Sequence, residues 1–202
     1  MQIVFVRHGE TAWNASRRFQ GQSNVPLSAR GRAQAAAVAL ALRGESFSHA
    51  YTSDLERARE TAQTIAAART LDVTSDARLR EFDFGQWEGL TWPEIVARWP
   101  QFDGRLPMQA RAYEPAGGER FEQVVERVRS FLDELRSGAP SDRVLVVTHT
   151  GALHAAMEAL APEGFDPLGM VFSTASITRL AMDGDRARII SLNDVSHLDS
   201  TP

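Results

Sequence analysis

The sequence predicts an α/β fold: a three-layer sandwich with a mostly parallel central sheet, helices on both faces and an antiparallel edge strand. Three observations predict it. The apolar runs Ile3-Val4-Phe5-Val6 and Val144-Leu145-Val146-Val147 are uninterrupted, as in strands covered on both faces. Between them, short β signals alternate with helical periodicity. Near the end, two β segments, Ile177 to Met182 and Ala187 to Leu192, are joined through Asp183-Gly184-Asp185, a hairpin signal that gives the antiparallel edge. Residues 1–202 are read as a single domain, because this length buries a core without needing a second one.

Taken in order, the first strand runs straight into Arg7-His8-Gly9-Glu10-Thr11. Ligands of parallel sheets sit beyond the carboxyl ends of the strands, so Arg7 and His8 stand where a site is expected. Glu10, close to arginines, is expected to orient His8 or anchor Arg side chains. Asn14 to Asn24 reads as a polar loop in which Gly21 permits close backbone approach, and Arg17 and Arg18 read as a solvated pair. Ser28 is a cap for a helix from Ala29 to about Leu42. The boundary Ala50-Tyr51-Thr52-Ser53 then leads to a second helix, running to about Ala68. Ser53 with Glu56 three residues on is a capping-box pattern that starts this helix and puts Arg57 in its first turns. A positive helix end beside a guanidinium describes an anion site.

β signals recur around Val73, followed by the most aromatic stretch of the chain, Arg80 to Gly89. A carboxylate among aromatic walls has its proton affinity raised by desolvation, which suits a general acid, and here Glu81, Asp83 and Glu88 compete. For Glu88 a loop-bracing role is preferred, and Trp87, Trp92 and Trp99 read as packing residues. Residues 100–118 show no period and are expected to form a lid or specificity segment, with Arg105, Met108, Arg111 and Tyr113 as candidate contacts. The next helix carries Phe121, Val124, Val125, Val128, Phe131, Leu132 and Leu135 at helical spacing and stops at Ser137-Gly138-Ala139-Pro140. The second buried run ends in Thr148-His149-Thr150-Gly151, and a helix from Ala152 to Leu160 follows, with His154 structural or at the rim. If the two apolar runs are neighbours about 4.8 Å apart, His8 and His149 meet at one sheet edge.

Composition excludes much. The formal net charge of -4 argues against nucleic-acid and membrane partners, so any cationic site is local. With no cysteine, disulfides, zinc-thiolate sites and cysteine nucleophiles are excluded. All 22 basic residues are arginine, which rules out a Walker A or Schiff-base lysine. Met1-Gln2 leads directly into the first strand and no run is long enough to span a bilayer, so the expected location is cytoplasmic. His8-x-Glu10 lacks the cysteine pair of a zinc deaminase. A hydrolase triad of Ser53, His149 and Asp54 leaves Arg7 and Arg57 without a role.

Arg7-His8-Gly9-Glu10-Thr11 with Trp13-Asn14, Ser53-x-Leu55-x-Arg57-Ala58-x-x-Thr61-Ala62, Leu79-Arg80-Glu81 with Gly85-x-Trp87-Glu88-Gly89, and Val147-Thr148-His149-x-Gly151 together resemble the histidine phosphatase superfamily, the phosphoglycerate-mutase-like proteins. Gly118-Glu119-Arg120-Phe121 and Asn193 to Leu198 resemble its smaller phosphatases, including broad-specificity and α-ribazole-phosphate types. The resemblance implies a catalytic set of His8, Glu81, Arg7, Arg57 and His149. In it His8 is the nucleophile that forms a phosphohistidine, and Glu81 is the proton donor. It places Asn14 and Gln20 at substrate-contacting positions, and Gly21 and Thr150 complete the candidate binding set. The substrate implied is a small phosphomonoester, with no metal and no cofactor. Oligomeric state is left open, with a homodimer as the candidate assembly. Two other readings stand beside this one, a 2,3-bisphosphoglycerate-dependent phosphoglycerate mutase and a noncatalytic phosphate-ester-binding protein. The mutases carry Arg-His after the equivalent of Glu81 and a longer insertion before the equivalent of Gly118; here Phe82-Asp83 follows and the interval is short, which favours hydrolysis.

Overall fold

The computed structural model describes residues 1–67, 69–102, 114–137, 142–160, 167–183 and 186–198. One sheet holds β1 (Gln2–Arg7), β2 (His49–Thr52), β3 (Val73–Ser75), β4 (Arg143–Thr148), β5 (Ile177–Asp183) and β6 (Arg186–Asp194), in the order β3-β2-β4-β1-β5-β6. The pairs β1–β4, β2–β4 and β2–β3 are parallel, while β1–β5 and β5–β6 are antiparallel. The antiparallel edge is therefore a pair of strands. β1 and β4 are direct neighbours, with Arg7 opposite Thr148, which leaves His8 and His149 one residue past the ends of adjacent strands.

Alternation along the two central strands separates two cores. Ile3, Phe5, Val144 and Val146 pack with Ile95 of α4 (Trp92–Arg98), with α5 (Phe121–Arg136) and with α6 (Thr150–Leu160). Val4, Val6, Leu145 and Val147 pack on the other face with Val38 of α2 (Ala29–Ala41) and with Ala58, Ala62 and Ile65 of α3 (Glu56–Ala66). Each such side chain contributes about 1.5–3 kcal/mol on burial, so both faces of the sheet must stay covered. The architecture is the three-layer α/β sandwich expected. All seven apolar residues of the predicted stripe on α5 are buried. Trp87 is buried, and Trp92 and Trp99 pack against the same core.

Some boundaries differ from expectation. The loop after His8 contains a short helix, α1 (Ala12–Ala15), capped by Thr11. α2 starts as predicted, with the Ser28 hydroxyl accepting the Gly31 N–H at 3.0 Å. α3 does not start at a Ser53–Glu56 capping box. Its first residue is Glu56, whose N–H donates to Asn24 Oδ1 at 2.7 Å, while Ser53 Oγ accepts from Leu55. The cap comes from another segment, which local spacing does not reveal. α4 had no sequence assignment, although Thr91 and Glu94 form a capping box there. α6 starts at Thr150 and not at Ala152, directly after His149. Arg105, Met108, Arg111 and Tyr113 of the expected lid lie outside the described residues. Among the described residues no helix is long and apolar enough to cross a membrane.

Candidate active site

The carboxyl ends of β1 and β4 bring the two imidazoles to a centroid separation of 5.0 Å. Both are buried. The Nδ1 atom of His8 lies 2.7 Å from the carbonyl oxygen of Gly9. A carbonyl can only accept, so Nδ1 carries the proton and Nε2 keeps its lone pair. Arg57 Nε donates toward that lone pair at 3.3 Å. The same guanidinium donates to the carbonyls of Ser23 (2.8 Å) and Gly21 (2.7 Å), so Arg57 also holds the loop that caps α3. Arg7 donates through Nη1 to Phe172 O at 2.5 Å, and its Nε has no partner among the described residues. Neither ring nitrogen of His149 has one. An imidazole this deeply buried with both nitrogens unmatched, facing Nε2 of His8 and two guanidiniums, fits a site for an oxyanion that accepts from its N–H.

Glu81 is held by backbone amides. Its Oε1 accepts from Phe82 N at 2.9 Å and from Gly151 N at 2.7 Å. The second of these closes the first turn of α6 in place of a local cap, which accounts for the early start of that helix. A Cβ at position 151 would lie 2.3 Å from Glu81 Oε1 and would displace the carboxylate. The expected aromatic walls are not what surrounds the carboxylate. Phe82, Phe84 and Trp87 turn into the core, and Glu81 stays half-buried among amides. Thr148 Oγ1 donates to Leu79 O at 2.7 Å, tying the Glu81 loop to the end of β4.

The other predicted residues divide into two groups. Glu88 braces, accepting from Gln22 N, Ser23 N and Ser23 Oγ. Asp83 accepts from Gly85 N through Oδ1 at 2.8 Å, a contact within the turn. Gly21 has a φ of +51°, and a Cβ on it would sit 1.9 Å from Glu88 Oε1, so its glycine accommodates the brace. Asn14 commits its side-chain oxygen to Thr11, leaving only the amide nitrogen to donate elsewhere. Gln20 accepts from Thr11 Oγ1 at 2.8 Å. Thr150 Oγ is buried without a partner among the described residues, as suits a group that meets a ligand. Glu10 does not orient His8. It accepts from Ser28 Oγ at 3.0 Å and sits 3.7 Å from Arg30, so it secures the start of α2. His154 is buried against Phe172 with Nε2 2.9 Å from Met170 O, a structural position. Sequence reasoning missed Asn24 and Ser23. Their contacts run through backbone atoms and across segments, and leave no pattern in spacing.

Burial, then the charge of Arg57, holds the pKa of both His8 and His149 well below the ordinary imidazole value; the charge of Arg7 adds to this in both cases. Burial also pushes Arg57 down to about 10, opposed by Glu81, and it remains charged at neutral pH. The sign of the stability effect follows from the two histidines. In the unfolded chain they take up protons below about pH 6.5, whereas the folded chain keeps them neutral. The stability they contribute is present above that pH and is lost as pH falls toward their folded values. The unfolding free energy from urea titration is expected to drop between pH 7 and 5, by up to about 1.4 kcal/mol per pH unit for each histidine. The substitution His149→Gln should remove one of the two protons from that slope, and an unchanged slope would show that His149 is not held neutral.

Comparison with known proteins places the chain. Residues 3–195 match the family model of the histidine phosphatase superfamily (branch 1). The chain is similar to phosphoglycerate mutase-like protein 4 of Arabidopsis thaliana, at 37% identity over 99% of this chain and 88% of the relative. It is also similar to phosphoserine phosphatase 1 of Hydrogenobacter thermophilus, at 33% identity over 98% of this chain and 94% of the relative. The solved structure of mycobacterial glucosyl-3-phosphoglycerate phosphatase with VO3 superposes with a TM-score of 0.86 at 34% identity, over 95% of this chain and 98% of that one. This chain is an enzyme of the phosphatase type and belongs to branch 1 of the histidine phosphatase superfamily.

Proposed function

We propose that this protein is a phosphomonoesterase of small phosphorylated metabolites, cytoplasmic in setting, working through a phosphohistidine on His8. The observation that carries the reading is the fixed tautomer of His8: Gly9 O takes the Nδ1 proton, and the Nε2 lone pair is left pointing into the cationic cluster. Phosphoryl transfer asks mainly for positioning and charge stabilisation. Arg7, Arg57 and the unmatched nitrogens of His149 supply the charge and hydrogen-bonding capacity for the phosphoryl oxygens, so the reading includes no metal. A phosphate oxygen replaces the lone pair of His8 as the acceptor for Arg57 Nε, which frees Nε2 to attack.

In the first step Nε2 bonds to phosphorus, the ester P–O bond breaks, and Glu81 gives a proton to the departing oxygen through Oε2, the oxygen not bound by Phe82 and Gly151. In the second step water attacks the phosphohistidine, Glu81 takes its proton, the P–N bond breaks and phosphate leaves with His8 restored. Two half-reactions replace one difficult displacement. Asn14, Gln20 and Thr150 line the binding set in this reading.

The runner-up is a phosphoglycerate mutase, which shares the first step and passes the phosphoryl group to a second ester instead of water. It is supported by relatives named phosphoglycerate mutase-like protein 4 and probable phosphoglycerate mutase GpmB. Against it, Phe82 is buried in the core and Asp83 closes a turn, where the mutases carry a cationic pair beside the acid. The test is product partition. With 3-phosphoglycerate and catalytic 2,3-bisphosphoglycerate, free phosphate is expected to form faster than the 2-phospho isomer. Isomer interconversion outpacing phosphate release would make the mutase reading correct. Phosphoserine and glucosyl-3-phosphoglycerate, the esters for which similar proteins are named, are the first substrates to try. Phosphate binding without release from any ester would leave a noncatalytic binding protein.

A further inference from the structure

We infer that Arg127, on α5, is a positioning residue that sets the place of the Glu81 carboxylate, with Glu119 as its anchor. Arg127 Nη1 donates to the carbonyls of Arg78 and Arg80, both at 2.7 Å, and Nη2 to the carbonyl of Glu81 at 2.9 Å. Its Nε and Nη2 bind the two carboxylate oxygens of Glu119, each at 2.9 Å. Glu119 in turn accepts from Asp83 N at 3.0 Å and donates its own N–H to Asp83 O at 2.9 Å. One guanidinium and one carboxylate thus grip the backbone on both sides of Glu81.

The grip matters because residues 80–84 belong to no helix or strand, so no ladder of backbone bonds fixes their dihedrals. The Glu81 carboxylate must nevertheless meet the Gly151 N–H at 2.7 Å, at a place from which a Cβ at 151 would displace it. Arg127 collects three carbonyls, of which only that of Glu81 has a second donor, Gln22 Nε2 at a longer 3.4 Å. Its planar fork does this from a rigid base, the apolar stripe of α5. A lysine ammonium could not reach the three carbonyls and both Glu119 oxygens together. Arg127 meets the reacting cluster only at the backbone carbonyl of Glu81, and its charge also reaches His149.

The inference rests on Glu81 as proton donor, and the experiment separates the two. In the full chain, first-turnover phosphoryl transfer is measured with an alkyl phosphate, whose leaving oxygen needs a proton, and with p-nitrophenyl phosphate, whose leaving group does not. Glu81→Gln is expected to slow the alkyl ester about 100-fold or more and the aryl ester far less. Arg127→Met should show the same selectivity at about 10- to 100-fold, as a misplacement of about an ångström produces. On the Glu81→Gln background it should add no further loss. Glu119→Gln should follow the same pattern more weakly, and it decides the matter if Arg127→Met does not fold. Equal slowing of both esters, as expected if Arg127 acted only through its charge on His149, would overturn the inference, and so would losses that multiply in the double variant. If Glu81→Gln is selective and neither clamp variant is, the clamp alone is wrong. If Glu81→Gln is not selective, the proton-donor assignment fails and the clamp fails with it.

Discussion

His8→Ala is expected to lower turnover of every phosphomonoester by at least about 10,000-fold and to abolish the acid-labile phosphoenzyme. The size follows from the part played by Nε2. In the proposed mechanism it is the atom that bonds to phosphorus, and the other imidazole is set apart from it: His149 lies 5.0 Å away between ring centroids and is oriented at 56° to it. The fold should survive, because His8 is held mainly by one hydrogen bond to its neighbour's carbonyl and by packing. Phosphate binding should survive too, since Arg7, Arg57 and His149 remain. The informative measurement is therefore a pair: rapid-quench detection of phosphoenzyme, and calorimetric binding of inorganic phosphate. Normal turnover in the variant would eliminate the phosphohistidine mechanism, whereas lost phosphate binding would mean that the cluster had not formed.

Arg57→Ala is expected to damage both stability and chemistry. The side chain is fully buried, and its loss leaves Gly21 O without its donor, Ser23 O with that of Val25 N alone, and a void in the core. An unpaired buried acceptor and a cavity together cost about 3 kcal/mol or more. The loop they belong to also supplies Asn24, so the start of α3 should loosen. Turnover should fall about 1,000-fold, the loss typical of removing a preorganised charge from a transferring group. A third consequence separates electrostatics from packing. Arg57 is the largest charge contribution to the lowered pKa of both imidazoles, so removing it should raise both, visible as histidine resonances titrating at higher pH. Arg57→Lys should restore part of that shift while failing to restore the loop carbonyls. Unmoved titrations in Arg57→Ala would mean that burial alone keeps the histidines neutral.

Much of the site can be read along the chain because its parts sit at strand ends. Val4 and Val6 face one core and Ile3 and Phe5 the other, so an uninterrupted apolar run announces a central parallel strand, and the first polar residues after it announce the crevice. That logic locates Arg7, His8 and His149. The α5 stripe is equally legible, because burial on a helix imposes a spacing on residue type. What could not be read are contacts whose signal is a backbone atom. Asn24 capping α3, Glu81 closing the first turn of α6 and Arg127 gathering three carbonyls all depend on where distant main-chain groups come to lie, as do the amides that Glu88, read as a brace, binds. Local rules misplaced the start of α3 for the same reason: Ser53 and Glu56 have the right spacing, but a better acceptor arrives from residue 24.

By itself the sequence determined the class of fold, the pairing of two histidine-bearing strands and the identity of the charged groups, since these follow from the period of apolar residues and from side-chain chemistry. The tertiary structure decided which nitrogen of His8 faces Arg57, how the carboxylates of Glu81 and Glu88 are held, and how deeply the imidazoles are shielded. Those outcomes depend on distances between segments far apart along the chain. Such distances are set by how the layers pack, which the order of residues does not state.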